Sequence, residues 1–222
     1  MFNQKPMLGQ LPDWTRFPQP AALYVMNEGT GSIINDLSGN GQVGSLVADT
    51  HWVPGRLGHA LSFDGTGDYV QITNKNPCFT GGLFRNSTII FWFKANNVTD
   101  GTKGIVSCSS SIISTTPALL IQQNTSTIRF YNLSVGYWGA FTIEAGKWYQ
   151  VAFVNDGVND HAYINGIYIN SLAQSATTKG TTYLYFDTGY SGQFNGQISN
   201  GTLFSSALTV SQIRQLYIDP FP

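Results

Sequence analysis

Short apolar and β-branched runs alternate along this chain with clusters of Gly, Asn, Asp and Ser, the signature of strands punctuated by turns. The pattern predicts strands over Ala22–Met26, Ile33–Ile34, Ala60–Phe63, Tyr69–Ile72, Thr88–Lys94, Gly104–Ser107, Ala118–Gln122, Thr127–Tyr131, Trp148–Val154, Ala162–Ile164, Ile167–Ile169, Thr182–Phe186 and Gln197–Phe204. Asn165-Gly166 separates two alternating runs. Such a pair is a strong hairpin signal, because a type I′ turn needs two residues with positive φ. One helix is expected near the end. Thr209-Val210-Ser211-Gln212 reads as a capping box, Val210, Ile213 and Tyr217 supply an apolar stripe, and Pro220 stops the helix. Many short strands, no repeated βα unit and one terminal helix predict an all-β, antiparallel two-sheet jelly-roll β-sandwich. Trp92 and Trp148 lie in strong strands and are expected in its core.

The stretch before the first strand has a different texture. Residues 1–20 contain Pro6, Pro12, Pro18 and Pro20 and read as an extended arm, followed by the domain over residues 21–218 and a tail over 219–222. Trp14 and Phe17 on the arm, and Phe221 on the tail, are candidate interface residues, with packing on their own domain as the alternative for the arm. The basic start and apolar stretch of a signal peptide are missing, and no apolar run reaches the length of a membrane span. Cys78 and Cys108 match no zinc spacing and read as ordinary thiols.

Composition then narrows the classes. Only 10% of the 222 residues are charged, against about 25% in average proteins, and the net charge is −1. The 11 Lys and Arg are scattered singly, so a nucleic-acid partner is not expected. Glu28 and Glu144 are the only glutamates, which excludes a coiled coil. Low charge also weakens self-repulsion and favours association.

Several segments, in order, resemble laminin-G-like members of the concanavalin A-like lectin/glucanase superfamily. They are Tyr24–Gly31 with Asp36–Gly41, Gly58–Gly65 through Val70, Thr88–Lys94, Lys147–Ala152 with Asn165-Gly166, and Phe194–Ile198 with Ala207–Thr209 and Ile213–Tyr217. The set covers about residues 20–218. The short arm and the Leu216–Phe221 ending are also similar to laminin-G-like proteins encoded among bacteriophage structural genes. This second resemblance implies capsid or tail proteins as partners, self-association as a trimer, and a place in the virion after synthesis in the host cytoplasm.

Glycosidases of this superfamily place paired carboxylates at alternating positions of one strand, and a pair is what glycoside cleavage requires. No Glu-x-Asp-x-Glu pattern occurs, and no Gly-x-Ser-x-Gly elbow accompanies His51, His59 or His161. No catalytic residue is assigned. Many relatives hold a structural calcium, often at an Asp-Asp pair after a Gly-x-Ile step. Here Ser199-Asn200 stands at that step, so no metal or other cofactor is expected, and Asp36 and the Asn155–Asp160 loop are the remaining oxygen-rich candidates. Asp36, Asp64 and Asp68 read as closers of Asx turns. Tyr137 and Trp138 between Gly136 and Gly139, and Tyr190 between Gly189 and Ser191, sit in loop-like sequence and are the candidates for stacking on sugar rings. The function expected is therefore a non-enzymatic virion protein, a capsid decoration or tail-associated component with a lectin-like fold open to glycans. The alternative is a carbohydrate-binding module without a virion role.

Overall fold

The computed structural model describes residues 14–73, 86–109, 119–132, 136–173, 183–188 and 192–219. Tyr190, Phe221, Cys78 and Pro220, and the side chain of Trp14, lie outside the described residues. In chain order the strands are β1 (Pro20–Tyr24), β2 (Ile33–Ile34), β3 (Gly44–Val47), β4 (His51–Pro54), β5 (His59–Asp64), β6 (Tyr69–Thr73), β7 (Ser87–Ala95) and β8 (Thr102–Ser109). They continue with β9 (Leu119–Asn124), β10 (Thr127–Asn132), β11 (Gly136–Thr142), β12 (Trp148–Asn155), β13 (Asn159–Ile164), β14 (Ile167–Ala173), β15 (Tyr183–Thr188) and β16 (Asn195–Phe204). A single helix, α1 (Val210–Ile218), follows.

The strands form two eight-stranded sheets whose neighbouring strands pair antiparallel. The first runs β14-β13-β12-β7-β16-β5-β4, with β1 also on β16; the second runs β11-β10-β9-β8-β15-β6-β3-β2. The expected sandwich is present. Strands β3 and β4 escape the hydrophobic pattern because they are short and only half-buried. Gly44 in β3 is required by packing, since a Cβ there would lie 2.7 Å from Ile34 Cγ1 and 2.9 Å from Ile72 Cγ1.

Between the sheets lies the main core, including Tyr24, Phe63, Phe91, Phe93, Ile121, Phe130, Phe186 and Phe194. A second apolar cluster covers the other face of the first sheet. There Ile90, Ala152, Val154, Tyr163 and Phe204 meet Ile213 and Leu216 of α1 and Phe17 of the arm. Phe17 is thus buried on its own domain rather than presented to a neighbour. The capping box forms as read: Gln212 N donates to Thr209 Oγ1 at 3.3 Å, and Thr209 N donates to Gln212 Oε1 at 2.9 Å. The apolar stripe differs from the expectation. Ile213 and Leu216 are buried, whereas Val210 at the first turn is exposed. Tyr217 stacks on Trp92, with ring centroids 5.6 Å apart. Trp92 is therefore buried outside the main core, under Tyr217 and the Arg56 guanidinium. Trp148, unlike the buried Trp92, is not a core residue; it is half-buried, with Lys94 Nζ 5.2 Å from its ring.

Among the register shifts in the sheets, two place residues singled out from the sequence. The first lies in β16 between Ser199 and Thr202, where Asn200 has φ +50°. Before it β16 pairs with β5, and after it with β1. Asn200 Nδ2 donates to the Val25 carbonyl at 2.7 Å, just past β1. Ser199 Oγ lies 3.1 Å from the His59 carbonyl and 2.7 Å from Asn200 Oδ1. The neutral Ser199-Asn200 pair thus supplies hydrogens to backbone carbonyls at the point where two strands share one edge.

The second bulge lies in β11. Its partners on β10 step from Ile128–Phe141 to Phe130–Trp138, leaving one extra residue on β11. Gly139 occupies the bulge with φ +60°. Strict alternation inward from Phe141 would turn Tyr137 inward and Trp138 outward. The extra residue reverses this. Trp138 packs in the core, its ring centroid 5.4 Å from that of Phe130, while Tyr137 faces away and is 40% exposed. The segment expected to be a loop is a strand, and Trp138 is unavailable to stack on a sugar because its ring is between the sheets.

Exchanging both Ser199→Asp and Asn200→Asp sets carboxylates against the Val25 and His59 carbonyls. It should lower stability by about 2–4 kcal/mol, read as a fall in the urea midpoint. Chelator should leave the midpoint of the unsubstituted protein where it is. Gly139→Ala is expected to cost about 1–2 kcal/mol, because its Cβ would stand 3.3 Å from Phe130 Cδ2. Gly136→Ala, with similar positive φ and nothing within 4 Å, should cost less in the same urea titration.

Candidate functional site

The side chains that point away from the core on the second sheet form one register row. It runs Tyr137, Tyr131, Leu120, Ser107, Tyr185, Gln71, Ser45 and Ile33 across all eight strands. Alternation places them there. The neighbours Phe130, Ile121, Val106, Cys108, Leu184 and Phe186 all belong to the main core. Arg129 and Gln122 are paired in an adjacent row on the same face.

Aromatic residues gather at two places on this face. The Tyr131 and Tyr137 rings lie 5.2 Å apart, and the Arg129 guanidinium sits 4.3 Å from the Tyr137 centroid. Tyr185 contacts Tyr69 at 6.0 Å and Tyr183 at 5.6 Å. Burial, with the nearby Tyr183 and Tyr69 phenols, pushes the Tyr185 hydroxyl up to about 12.

Between the two groups lie polar side chains without partners. Gln122 is 0% exposed, and neither its amide nitrogen nor its amide oxygen is hydrogen-bonded. Ser107 Oγ, 1% exposed, is likewise unpartnered. Arg129 donates from Nη2 to Thr102 Oγ1 at 3.2 Å, and Thr102 Oγ1 donates to Asn124 Oδ1 at 2.9 Å. Its Nε is buried and unpartnered. Leaving a buried amide or hydroxyl unpaired costs about 1–3 kcal/mol. Residues 110–118, which join β8 to β9, and 174–182, which precede β15, lie outside the described residues.

Of the sequence-expected stacking residues, the structure brings Tyr137 to this face and Trp138 to the core. Sequence reading missed Arg129, Gln122, Ser107, Tyr131 and Tyr185. Their period-2 placement opposite core residues was a usable signal, but a polar residue on an outward face is ordinarily a solvated one.

The carboxylates are engaged elsewhere. Asp36 accepts the amides of Leu23, Ser38 and Gln42, each at 2.9 Å, and so ties a loop to β1. Asp64 accepts Thr66 N at 2.6 Å as an Asx turn. Asp68 is fully buried and instead accepts the more distant amides of Asp49 and Asp64. In the Asn155–Asp160 loop, Asp156 accepts Val158 N and Asn159 N and lies 2.8 Å from His161 Nε2. Burial opposes its ionisation, but the Asn159 amide, His161 and the Val158 amide outweigh it and hold the carboxyl at about 2. Glu28 accepts from Asn35 N and Nδ2, and Glu144 pairs with Lys147 at 2.7 Å. Among the described residues no cluster of three or more His, Cys, Asp or Glu could hold a metal ion, and no helix is long and apolar enough to cross a membrane.

Comparison with solved structures finds the same fold in larger proteins. Trypanosoma rangeli sialidase in complex with sialic acid matches with a TM-score of 0.70 and 16% identity, over 89% of this chain and 32% of that one. The binding domain of botulinum neurotoxin DC in complex with rat synaptotagmin II matches with a TM-score of 0.72 and 16% identity, over 90% of this chain and 51% of that one. A botulinum neurotoxin type C structure, described as dependent for cell entry on two ganglioside molecules, matches with a TM-score of 0.70 and 17% identity, over 89% and 50%. The chain thus spans about a third to a half of these proteins. No curated protein sequence matches it. The laminin-G family model described as Concanavalin A-like lectin/glucanases superfamily matches residues 64–214. Since that span is more than half of the chain and both sheets have the matching architecture, this protein belongs to the concanavalin A-like lectin/glucanases superfamily.

Proposed function

We propose that this protein is a non-catalytic glycan-binding domain that uses the outer face of its second sheet. The observation that carries this reading is the exposed Tyr137 ring, packed against Tyr131 and the Arg129 guanidinium at one end of that face. Sugars offer hydroxyls that donate and accept, and apolar ring faces that stack on aromatics. Tyr137 with Tyr131 supplies the platform. The absence of catalysis is supported by where the two glutamates go. Each is engaged in a local turn contact rather than with a second carboxylate across a cleft.

A second reading concerns where the domain works. We propose that it is displayed on a phage particle, on a capsid or tail protein, as a self-associating and trimeric component. The supporting observation is that Gln212 Nε2 of α1 donates to the Arg16 carbonyl of the arm at 3.2 Å. Both segments lie on the outer face of the first sheet, opposite the tyrosine-lined face. A domain held through that side presents the other.

A glycan array followed by calorimetry tests the first reading. Binding to at least one glycan class is expected, with Tyr137→Ala weakening it about tenfold, the worth of one aromatic contact. Tyr168→Ala, an exposed tyrosine on the first sheet, should not change it. An array with no bound glycan would sink the reading. For the second, the protein should co-sediment with purified virions in threefold copies. Virions that lack it would count decisively against display.

A further inference from the structure

Arg129 is a part-buried cation with no anion beside it among the described residues. The ion pairs among the described residues are Lys147–Glu144 and His161–Asp156, and neither involves it. The eight strands of the second sheet carry one carboxylate, Asp187, and its Oδ1 accepts the Phe194 amide at 3.1 Å. No acidic side chain of that sheet is therefore directed at the guanidinium. Its ring contact with Tyr137 and its single donation to Thr102 orient the plane, while Nε remains buried and unpartnered. A guanidinium held in place without a counter-ion is costly unless something outside the chain supplies the negative charge. Beside it, across the strand pair, stands Gln122, with its amide also unpartnered.

From this geometry we infer that the ligand of this face is an acidic sugar, carrying a carboxylate or sulfate that lodges against Arg129 beside the exposed Tyr137 ring. The inference rests on the glycan-binding reading and adds the ligand class. Charged hydrogen bonds from guanidinium to a carboxylate or sulfate are short and directional, and a planar fork favours flat anions over a diffuse field. The low charge of the rest of the molecule fits, since recognition here depends on one placed cation rather than on a basic patch.

The test uses one galactose-terminated oligosaccharide in five forms: neutral, sialylated, the methyl ester of the sialylated form, glucuronylated and sulfated. Full-length protein is titrated with each at two salt concentrations. At least one acidic form should bind about tenfold or more tightly than the neutral form, and raising the salt should narrow that gap. The methyl ester should bind like the neutral form if a carboxylate is what Arg129 meets. Preference for the sulfated form alone assigns sulfate. Arg129→Lys, which keeps the charge without the fork, should lose most of the preference while retaining the wild-type urea midpoint to within a small shift. Arg129→Gln should abolish the preference. Equal or tighter binding of the neutral form overturns the inference while leaving glycan binding intact. No binding of any form overturns both.

Discussion

Strand β7 is buried on both of its faces, and the rest of the architecture follows from how each is covered. Ile89, Phe91 and Phe93 look into the space between the sheets. Ile90 looks the other way, and Trp92 with it. A strand apolar on both sides must be central in its sheet and needs two layers of cover. The second sheet provides one layer. The arm and α1 provide the other, which is why Phe17 and Leu216 share one cluster. With the outer face of the first sheet occupied in this way, the exposed end of the second sheet at Tyr137 is what remains for recognition.

Bulges decide what that surface displays. Side chains alternate with period two along a strand, so one inserted residue exchanges the faces of everything beyond it. In β11 the insertion at Gly139 sends the larger aromatic inward and the one bearing a hydroxyl outward. In β16 the insertion after Ser199 lets one strand edge serve β5 and then β1. The side chains at that junction donate to carbonyls of both neighbours. A cation could serve such carbonyls, and here hydroxyl and amide hydrogens do so instead. The same economy runs through the acidic residues. Asp36 and Asp68 terminate backbone amides of loops, so the few carboxylates of a weakly charged chain act mainly as parts of its frame.

Unpaired buried polar atoms occur on both sheets, with Trp92 Nε1, Gln150 Oε1 and Gln197 Oε1 on the first and Gln122, Ser107 and Arg129 Nε on the second. Buried polar groups in folded proteins are mostly satisfied, and exceptions call for a reason. Gln122, Ser107 and the Nε of Arg129 lie on neighbouring strands and on the same side of the sheet. Bringing them together costs stability in the unliganded protein, part of which an acidic group against Arg129 would offset.

Much of the frame was legible in the chain itself. The runs at Thr88–Lys94 and Trp148–Val154, the Asn165-Gly166 turn and the Thr209–Gln212 capping box are local signals. Each depends on residues within one turn or one strand, so sequence order alone determines them. Trp148 shows where such reasoning stops. A strand residue has two faces, and which one is covered depends on partners far along the chain; Trp148 came to lie beside Lys94 rather than in the core. The candidate site belongs wholly to that second kind of information. Tyr137, Arg129, Gln122, Ser107 and Tyr185 come from five strands spread over residues 102–188 and become neighbours only through strand order and register. The sequence by itself determined that this chain would form an antiparallel sandwich, because period-two hydrophobicity and turn residues act locally. Only the tertiary structure decided which side chains face outward together, because a bulge of one residue at Gly139 and the pairing of distant strands set that choice.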